Sequence, residues 1–441
     1  MRLRPHRIPD DVLDSLAAGG GGARAAEQLV AVRHSRNLML IKGVLDHCRE
    51  HAEIVKRAHD LLSGLGRQAP DAAGKLIGYP AVGAWARHTL RGLRAGTAGP
   101  LEPVRLGAVA AAAAIRAGLP YRIDVPAPGG EIMLPSLGRI TVGPDPGEPV
   151  RLRVTGDGAV EVAGRRIPVG RAAGPGWTPL HAITVADGTV ELIVDDLDPY
   201  RWAAETVIDG RLTPADLRTW QDRLDAAWRT LKGTHRTTAA ELRAMVWVLT
   251  PIKESTGGGT SATARDLAGT VAVSTPPDGR WLAVALARGL QHAKLDTVLD
   301  VVRLTLPDDR RYYAPWRGDP RPLPDLLHGA YAHLGVAGFW RRQRKVDDDL
   351  YPHVQFARWR EAALEATGTL LDSGRLTPEG TRFVGAMRRT LTNWITDPVP
   401  APALDEAERL TRAHRAAWLA LHSHEAAAGA ADRGPGRSAR P

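Results

Sequence analysis

The amino-acid sequence predicts an α+β fold that is mainly α. It has a helical N-terminal part, a small antiparallel β region in the middle and a helical C-terminal part. Three observations predict it. Apolar residues recur at helical spacing before residue 119 and again after Thr213. Between Tyr121 and Asp196 the texture changes to short alternating runs broken by Gly and Pro. At 441 residues the chain exceeds one typical domain. The expected divisions are a helical region 1–118, a β-rich region 119–196, a helical region 197–425 and a disordered tail 426–441 of Ala, Gly, Pro and Arg.

The elements follow in order. Ile8-Pro9-Asp10-Asp11 opens a first helix, and Gly19 to Gly22 ends it. From Ala25 to Leu65 the residues Leu29, Val32, Leu38, Ile41, Val44 and Leu45 keep helical spacing. Short helices are expected at Ala72–Leu76 and Val82–Leu93. Ala108–Ala117 is a small-residue helix stopped by Gly118 and Pro120. RLRV, AVEV and TVELIV alternate like strands, with Gly156-Asp157-Gly158 and Asp187-Gly188 as turns. Asp195, Asp196 and Asp198 in VDDLDPYR lack EF-hand spacing and its closing Glu, so a strand-end turn is expected there. Thr213-Pro214 caps a helix over Ala215–Leu231. KESTGGGTSATA, Lys253–Ala264, lacks the spaced phosphate-loop pattern and is expected as a connector or lid. Later helices are expected at Leu282–Leu304, Leu323–His333, Phe356–Leu371 and Glu379–Leu391.

Composition sets outer bounds. With 44% hydrophobic residues there is material for a sizeable core, and Trp outnumbers Phe, so Trp carries much of the bulky packing. The balance of 58 Lys+Arg against 49 Asp+Glu is spread along the chain, apart from Arg341-Arg342-Gln343-Arg344-Lys345 and the C-terminus. No nucleic-acid motif accompanies it, so a solvated basic surface is expected and nucleic acid is not an expected partner. Cys48 is alone, which rules out an intrachain disulfide and suits a reducing compartment. The N-terminal MRLRPHRIPDDVLDSL has no apolar core, and the run Ala108–Ile115 is too short to span a bilayer. A cytoplasmic protein without a membrane partner is expected.

The segment LARGLQHAKLDTVLD, Leu286–Asp300, carries one histidine, His292. Four residues earlier sits Arg288, followed by Gly289. With His and Glu in those places, the segment would hold an HExxH metal helix, whose two imidazoles share one face. Arg288 has no lone pair for a metal, and Gly289 weakens a helix by about 1 kcal/mol relative to Ala. By itself a lone histidine on such a helix reads as a packed structural residue.

Several long strings alter that weighting. The chain reads RHSRNLMLIKGVL at Arg33–Leu45, then AAAAIRAGLPYRI, LPSLGRI, VDDLDPYR and SATARDLAGTVAVSTPP. It continues with RYYAPWRGDPRPLPDLLHGAYAHLGVAGFWR at Arg311–Arg341, FARWREAALEATGTLLDSGRLTPEGTRFV at Phe356–Val384, and HRAAW at His414–Trp418. These resemble the HExxH-motif peptide-modification proteins, the 2-oxoglutarate-dependent HExxH-type peptide β-hydroxylases, whose helix reads approximately LVHEFQHAKLGALLDL. The resemblance covers most of the chain and implies an iron oxygenase ancestry, with Fe(II) and 2-oxoglutarate as cofactors. It implies a ribosomally made precursor peptide as partner, and a place beside other modification enzymes.

Carried over residue by residue, only Gln291 and His292 of the motif match. Arg288 and Gly289 stand where the family has its first His and its Glu. His333, in AYAHLGV, is the remaining histidine the resemblance places in the ancestral pocket, and His328 is a weaker second. A rebuilt metal set would be His292, His333 and Asp296, the last one turn beyond His292 on the same face. The alternative is that Asp296 is exposed or pairs with an arginine. Arg317 and Arg321 suit a carboxylate of 2-oxoglutarate or peptide; the alternative is pairing with Asp319 or Asp325. Arg288, Gln291, Asp300 and Trp316 would line the pocket, with Arg288 filling the vacated metal position and seeking a carboxylate partner. Tyr312 and Tyr313 could add to a peptide groove. Three functions follow. One is an active iron-dependent peptide hydroxylase. Another is a non-catalytic relative that binds a precursor peptide or a second modification enzyme and carries no cofactor. The third, a zinc protease, lacks its general base.

Overall fold

The computed structural model describes residues 6–186, 188–255 and 258–431. Six helices open the chain: α1 (Asp10–Ala17), α2 (Gly22–His47), α3 (Ala52–Gln68), α4 (Pro70–Ile77), α5 (Pro80–Ala95) and α6 (Arg105–Ala117). Nine short strands follow: β1 (Tyr121–Val125), β2 (Glu131–Leu134), β3 (Gly138–Thr141), β4 (Val150–Val154), β5 (Ala159–Val162), β6 (Arg165–Pro168), β7 (Trp177–Pro179), β8 (His181–Val185) and β9 (Val190–Val194). Then come α7 (Pro214–Thr234), α8 (Arg236–Met245), β10 (Val248–Pro251), β11 (Ser261–Ala262), β12 (Thr270–Val273) and α9 (Gly279–Leu299). The chain continues through β13 (Arg311–Tyr312), β14 (Arg321–Pro322), α10 (Leu323–Gln343), α11 (Tyr351–Asp372), α12 (Pro378–Asn393) and α13 (Ala401–Ala431). The fold is α+β and mainly α. No described helix is long and apolar enough to cross a membrane.

Local chemistry explains many boundaries. Thr213 caps α7 by accepting from the Asp216 N–H, and Asp216 returns the bond to the Thr213 backbone. Gly118 ends α6 with φ +65°. Ala108–Ala114 of α6 are all buried. A Cβ on Gly107 would meet the Asp124 carbonyl oxygen at 2.1 Å, so α6 can lie directly against β1. The tail expected from residue 426 begins inside α13, an alanine-rich stretch suited to helix, and residues 432–441 lie outside the described residues.

The chain forms two compact units. One is built from Gly22–Val301, the other from Pro9–Gly21 together with the chain after Val301. The texture-based divisions at 118 and 196 both fall inside the first unit.

The larger unit holds three sheets. Strands β1-β4-β5-β6 and β2-β3-β7 pair antiparallel throughout. The third, in order β11-β12-β10-β9-β8, is mixed, with β10 parallel to both β9 and β12. The region up to residue 196 pairs antiparallel as expected, and the correction concerns the chain after Thr213, where β10, β11 and β12 stand within a stretch expected to be helical. Strands β10 and β12 are buried at every position. A strand covered on both faces shows no alternation to read. The core of this unit packs α2–α6 on the strands, with Trp85 and Trp177 among its bulky side chains.

In the smaller unit α11 packs against α10, α12 and α13. The short α1 joins this unit. The Tyr331 hydroxyl donates to the Leu16 carbonyl at 2.7 Å, and Arg382 pairs with Asp14 at 2.5 Å. Gly329 and Gly338 of α10 lie under the rings of Trp316 and Trp394, where a Cβ would approach to 2.2 and 3.2 Å.

Candidate functional site

Helix α9 carries Arg288, Gly289, Gln291 and His292, on which the expectation of an ancestral metal site rests. Asp278 caps it by accepting from the Trp281 N–H at 2.7 Å. The helix is deeply placed, with buried Leu282, Leu286, Leu290, Leu295 and Val298 along its length. Gly279 and Gly289 set how close it comes to its neighbours. A Cβ on Gly279 would meet the Ala226 side chain of α7 at 2.4 Å. One on Gly289 would meet Val271 Cγ2 of β12 at 2.7 Å. Gly289 therefore serves as a helix–sheet contact.

Arg288 reaches from α9 to β11. Its Nη2 donates to both the carbonyl and the hydroxyl of Ser261, each at 2.6 Å. These charge-assisted bonds satisfy part of a half-buried guanidinium. Gln291 is buried and His292 is half-buried.

The polar residues further along α9 are anchored within the same unit. Lys294 forms a buried ion pair with Glu241 at 2.9 Å, and the other Glu241 oxygen accepts from the Gly22 N–H at 2.6 Å. Burial pushes the Lys294 ammonium below its ordinary range, and Glu241 counters it. Asp300 pairs with Arg36 at 3.0 Å, so this carboxylate is held by α2. Asp296 is 3% exposed. Burial pushes its carboxyl up to about 7, with Asp300 and Asp266 adding to the rise and Arg265 and Arg36 opposing it.

The chemistry of α9 does not fit an iron(II) centre of the expected kind. Such a centre draws on two imidazoles and a carboxylate. Along this helix there is one imidazole, a carboxyl that burial keeps largely protonated up to about pH 7, and a guanidinium at the first-ligand position. Among the described residues no three His, Cys, Asp or Glu side chains form a group that could hold a metal ion.

The other predicted residues belong to the smaller unit. His333 is buried, its Nδ1 2.8 Å from the Gly329 carbonyl, which fixes the proton on that nitrogen. Its ring stacks on Trp316 at 4.4 Å between centroids and tilts against Trp359 at 4.7 Å. His328 lies on the same helix and is half-buried. Arg317 pairs with Asp319 at 3.0 Å. Arg321 pairs with Asp319 at 2.8 Å and also with Asp325. Both guanidiniums hold Asp319 down at about 2. The carboxylates in contact with these arginines are thus the protein's own. Tyr312 donates to Asp308, and the Tyr313 hydroxyl meets His414 Nδ1 at 2.9 Å.

A buried polar cluster lies at VDDLDPYR. It is the strand-end turn after β9, but each carboxylate is buried and partnered. Tyr79 donates to Asp195 at 2.6 Å, Arg105 pairs with Asp198 at 2.6 Å, and Arg211 makes a two-pronged pair with Asp196 at 2.8 and 2.9 Å. Burial together with the nearby Asp198 pushes Asp195 up to about 6. The Asp195 partner Tyr79 stands 116 residues away, so no local pattern could have announced it.

No known family model matches the chain, and no curated protein matches it.

Proposed function

We propose that this chain is a non-catalytic relative of the HExxH peptide-modification proteins that binds a ribosomally made precursor peptide. The observation that carries the reading is the use made of the two substituted positions. Arg288 is tied to Ser261, and Gly289 is the point where α9 meets Val271. Both positions that would serve a metal and its base serve helix–sheet adhesion. The long strings shared with that family supply the peptide partner. They include the Pro-bounded APWRGDPRP loop, whose half-buried Trp316, with the half-buried Tyr313 just before the loop, offers ring surface.

Two measurements on the full chain test this. The first is iron content after anaerobic reconstitution with Fe(II), with 2-oxoglutarate consumption followed in the presence of a candidate precursor peptide taken from the neighbouring genes. The second is fluorescence anisotropy of that labelled peptide. The expected result is iron well below one equivalent, no peptide-dependent 2-oxoglutarate turnover, and saturable peptide binding. Near-stoichiometric iron that disappears in His292→Ala would instead favour the active hydroxylase with a shifted ligand set. Absence of peptide binding would remove the peptide partner.

A further inference from the structure

The face of the larger unit where α3 meets the β1–β4 pair holds a cavity of about 350 Å³. That lies in the lower range of small-molecule pockets. Its walls follow from simple periodicities. Ile54, Arg57, Leu61 and Gly64 are three, four and three residues apart, so they form one stripe of α3. On β1 the buried Ile123 points inward, so its neighbours Arg122 and Asp124 point to the opposite face. Asp124 stands directly across from Arg151 of β4 in the strand register.

The charges in this cavity are organised around one carboxylate. Asp124, whose side chain is 11% exposed, accepts from Arg57 Nη2 at 3.1 Å. It also accepts from Arg151 through Nε and, at 3.2 Å, through Nη2. It holds two guanidiniums side by side while using only part of their five N–H donors each. Arg122 lines the same cavity and has no carboxylate partner among the described residues. The other acid of the lining, Asp60, is paired with Lys56 at 2.8 Å. Three guanidiniums thus face one cavity with a single carboxylate between two of them.

On the α3 side the wall is apolar, from Ile54 and Leu61; Tyr121 and Ile123 of β1 complete the lining. Gly64 keeps the helix side open. A Cβ there would come no nearer than 4.0 Å to any side chain, and that to the tip of Arg67. No close packing requires this glycine; what it leaves is space.

We propose that this cleft is a binding site for a small organic anion, a carboxylate or phosphate carried on a compact apolar body. Arg122 and the spare N–H groups of Arg57 and Arg151 bind the anionic oxygens. Asp124 preorganises those two arginines, and the stripe of α3 receives the apolar part. The site is independent of the α9 residues and of the peptide reading.

The test is calorimetric titration of the full chain in low-salt buffer. Probes are 3-phenylpropionate and phenyl phosphate, with acetate and methyl phosphate as charge-only probes and benzyl alcohol as the apolar-only probe. One saturable site is expected for the amphiphilic anions, and affinity at least about tenfold weaker for each partial probe. The preferred head group separates a carboxylate ligand from a phosphate ligand. Arg122→Ala removes the unpaired cation, and Gly64→Met fills the cavity without altering charge. Each should weaken binding about tenfold or more, with thermal melting near that of the parent. Arg94→Ala, at an exposed arginine of α5, should leave binding unchanged. Absence of saturation by any amphiphilic probe, indifference to Gly64→Met, or an equal loss in Arg94→Ala would each overturn the proposal.

Discussion

Replacing Asp296 by Asn should stabilise the protein at alkaline pH and leave it nearly unchanged in acid. The carboxyl lies on α9 at 3% exposure. Unfolded, it titrates near 3.8; folded, burial first and then Asp300 and Asp266 raise it to about 7, against the opposing Arg265 and Arg36. Between those values the native state keeps a proton that the unfolded state has released, so stability falls as pH rises through the window. The contribution is fully present below the unfolded value and lost above about pH 7. The interval corresponds to about 4 kcal/mol at most, at about 1.4 kcal/mol for each pH unit. Asn keeps the shape and carries no charge. The variant should therefore match the parent within about 1 kcal/mol near pH 4 and exceed it by up to about 4 kcal/mol near pH 8. Hydrogen exchange of the α9 amides, followed by mass spectrometry across that range, reads the effect at the helix itself. A variant that exchanges faster than the parent near pH 8 would refute the reasoning. It would mean that Arg265 and Arg36 hold the ionised form.

Two further substitutions probe other parts of the larger unit. Lys294→Met leaves the Glu241 carboxylate buried beside only the Gly22 N–H. It should destabilise by about 3–5 kcal/mol in urea unfolding, and adding Glu241→Gln should recover most of the loss; a single variant as stable as the parent would count against a structural role for the pair. Ala163→Asn acts on the two-residue turn between β5 and β6, where Ala163 and Gly164 have φ of +50° and +71°. Asn tolerates that conformation better, so melting should reflect a gain of about 1 kcal/mol, and no gain would argue against a left-handed Ala163.

Helix ends were legible where local chemistry decides them. Thr213-Pro214 with Asp216, and Gly118 after the alanine run, are signals that act within a few residues. Strands β10 and β12 were not legible, because Val248–Leu249 and Val271–Val273 are buried on both faces and runs of two or three apolar residues look alike in a strand and in a buried helix. The polar contacts of α9 were hidden for another reason. Arg288 finds Ser261 27 residues back, and Asp300 finds Arg36 264 residues back. Packing sets such partners, and no spacing rule reaches that far. What could be read was that Arg288 has no i±4 acid and must look to another segment.

Arg288 and Gly289 of α9 act as one structural device rather than two. Gly289 lets α9 close on Val271 of β12, and Arg288 reaches Ser261 of β11, the strand paired with β12 through Ala262–Ala272 and Ser261–Val273. Both therefore fasten the helix to the same sheet edge. A larger side chain in place of Gly289 should then be resisted by the scaffold. Gly289→Glu alone places a Cβ 2.7 Å from Val271 Cγ2, and overpacking of this kind costs about 1–3 kcal/mol. Adding Val271→Ala removes both methyls within 3.3 Å and leaves Thr263 Cγ2 at an ordinary 3.4 Å. Unfolding in urea should show Gly289→Glu with Val271→Ala more stable than Gly289→Glu alone, although Val271→Ala by itself is destabilising. That reversal of sign is the mark of direct coupling between the two residues. Strictly additive effects would mean that the helix can move away from the sheet without loss. In that case the close contact at Gly289 would not be what holds α9 in place.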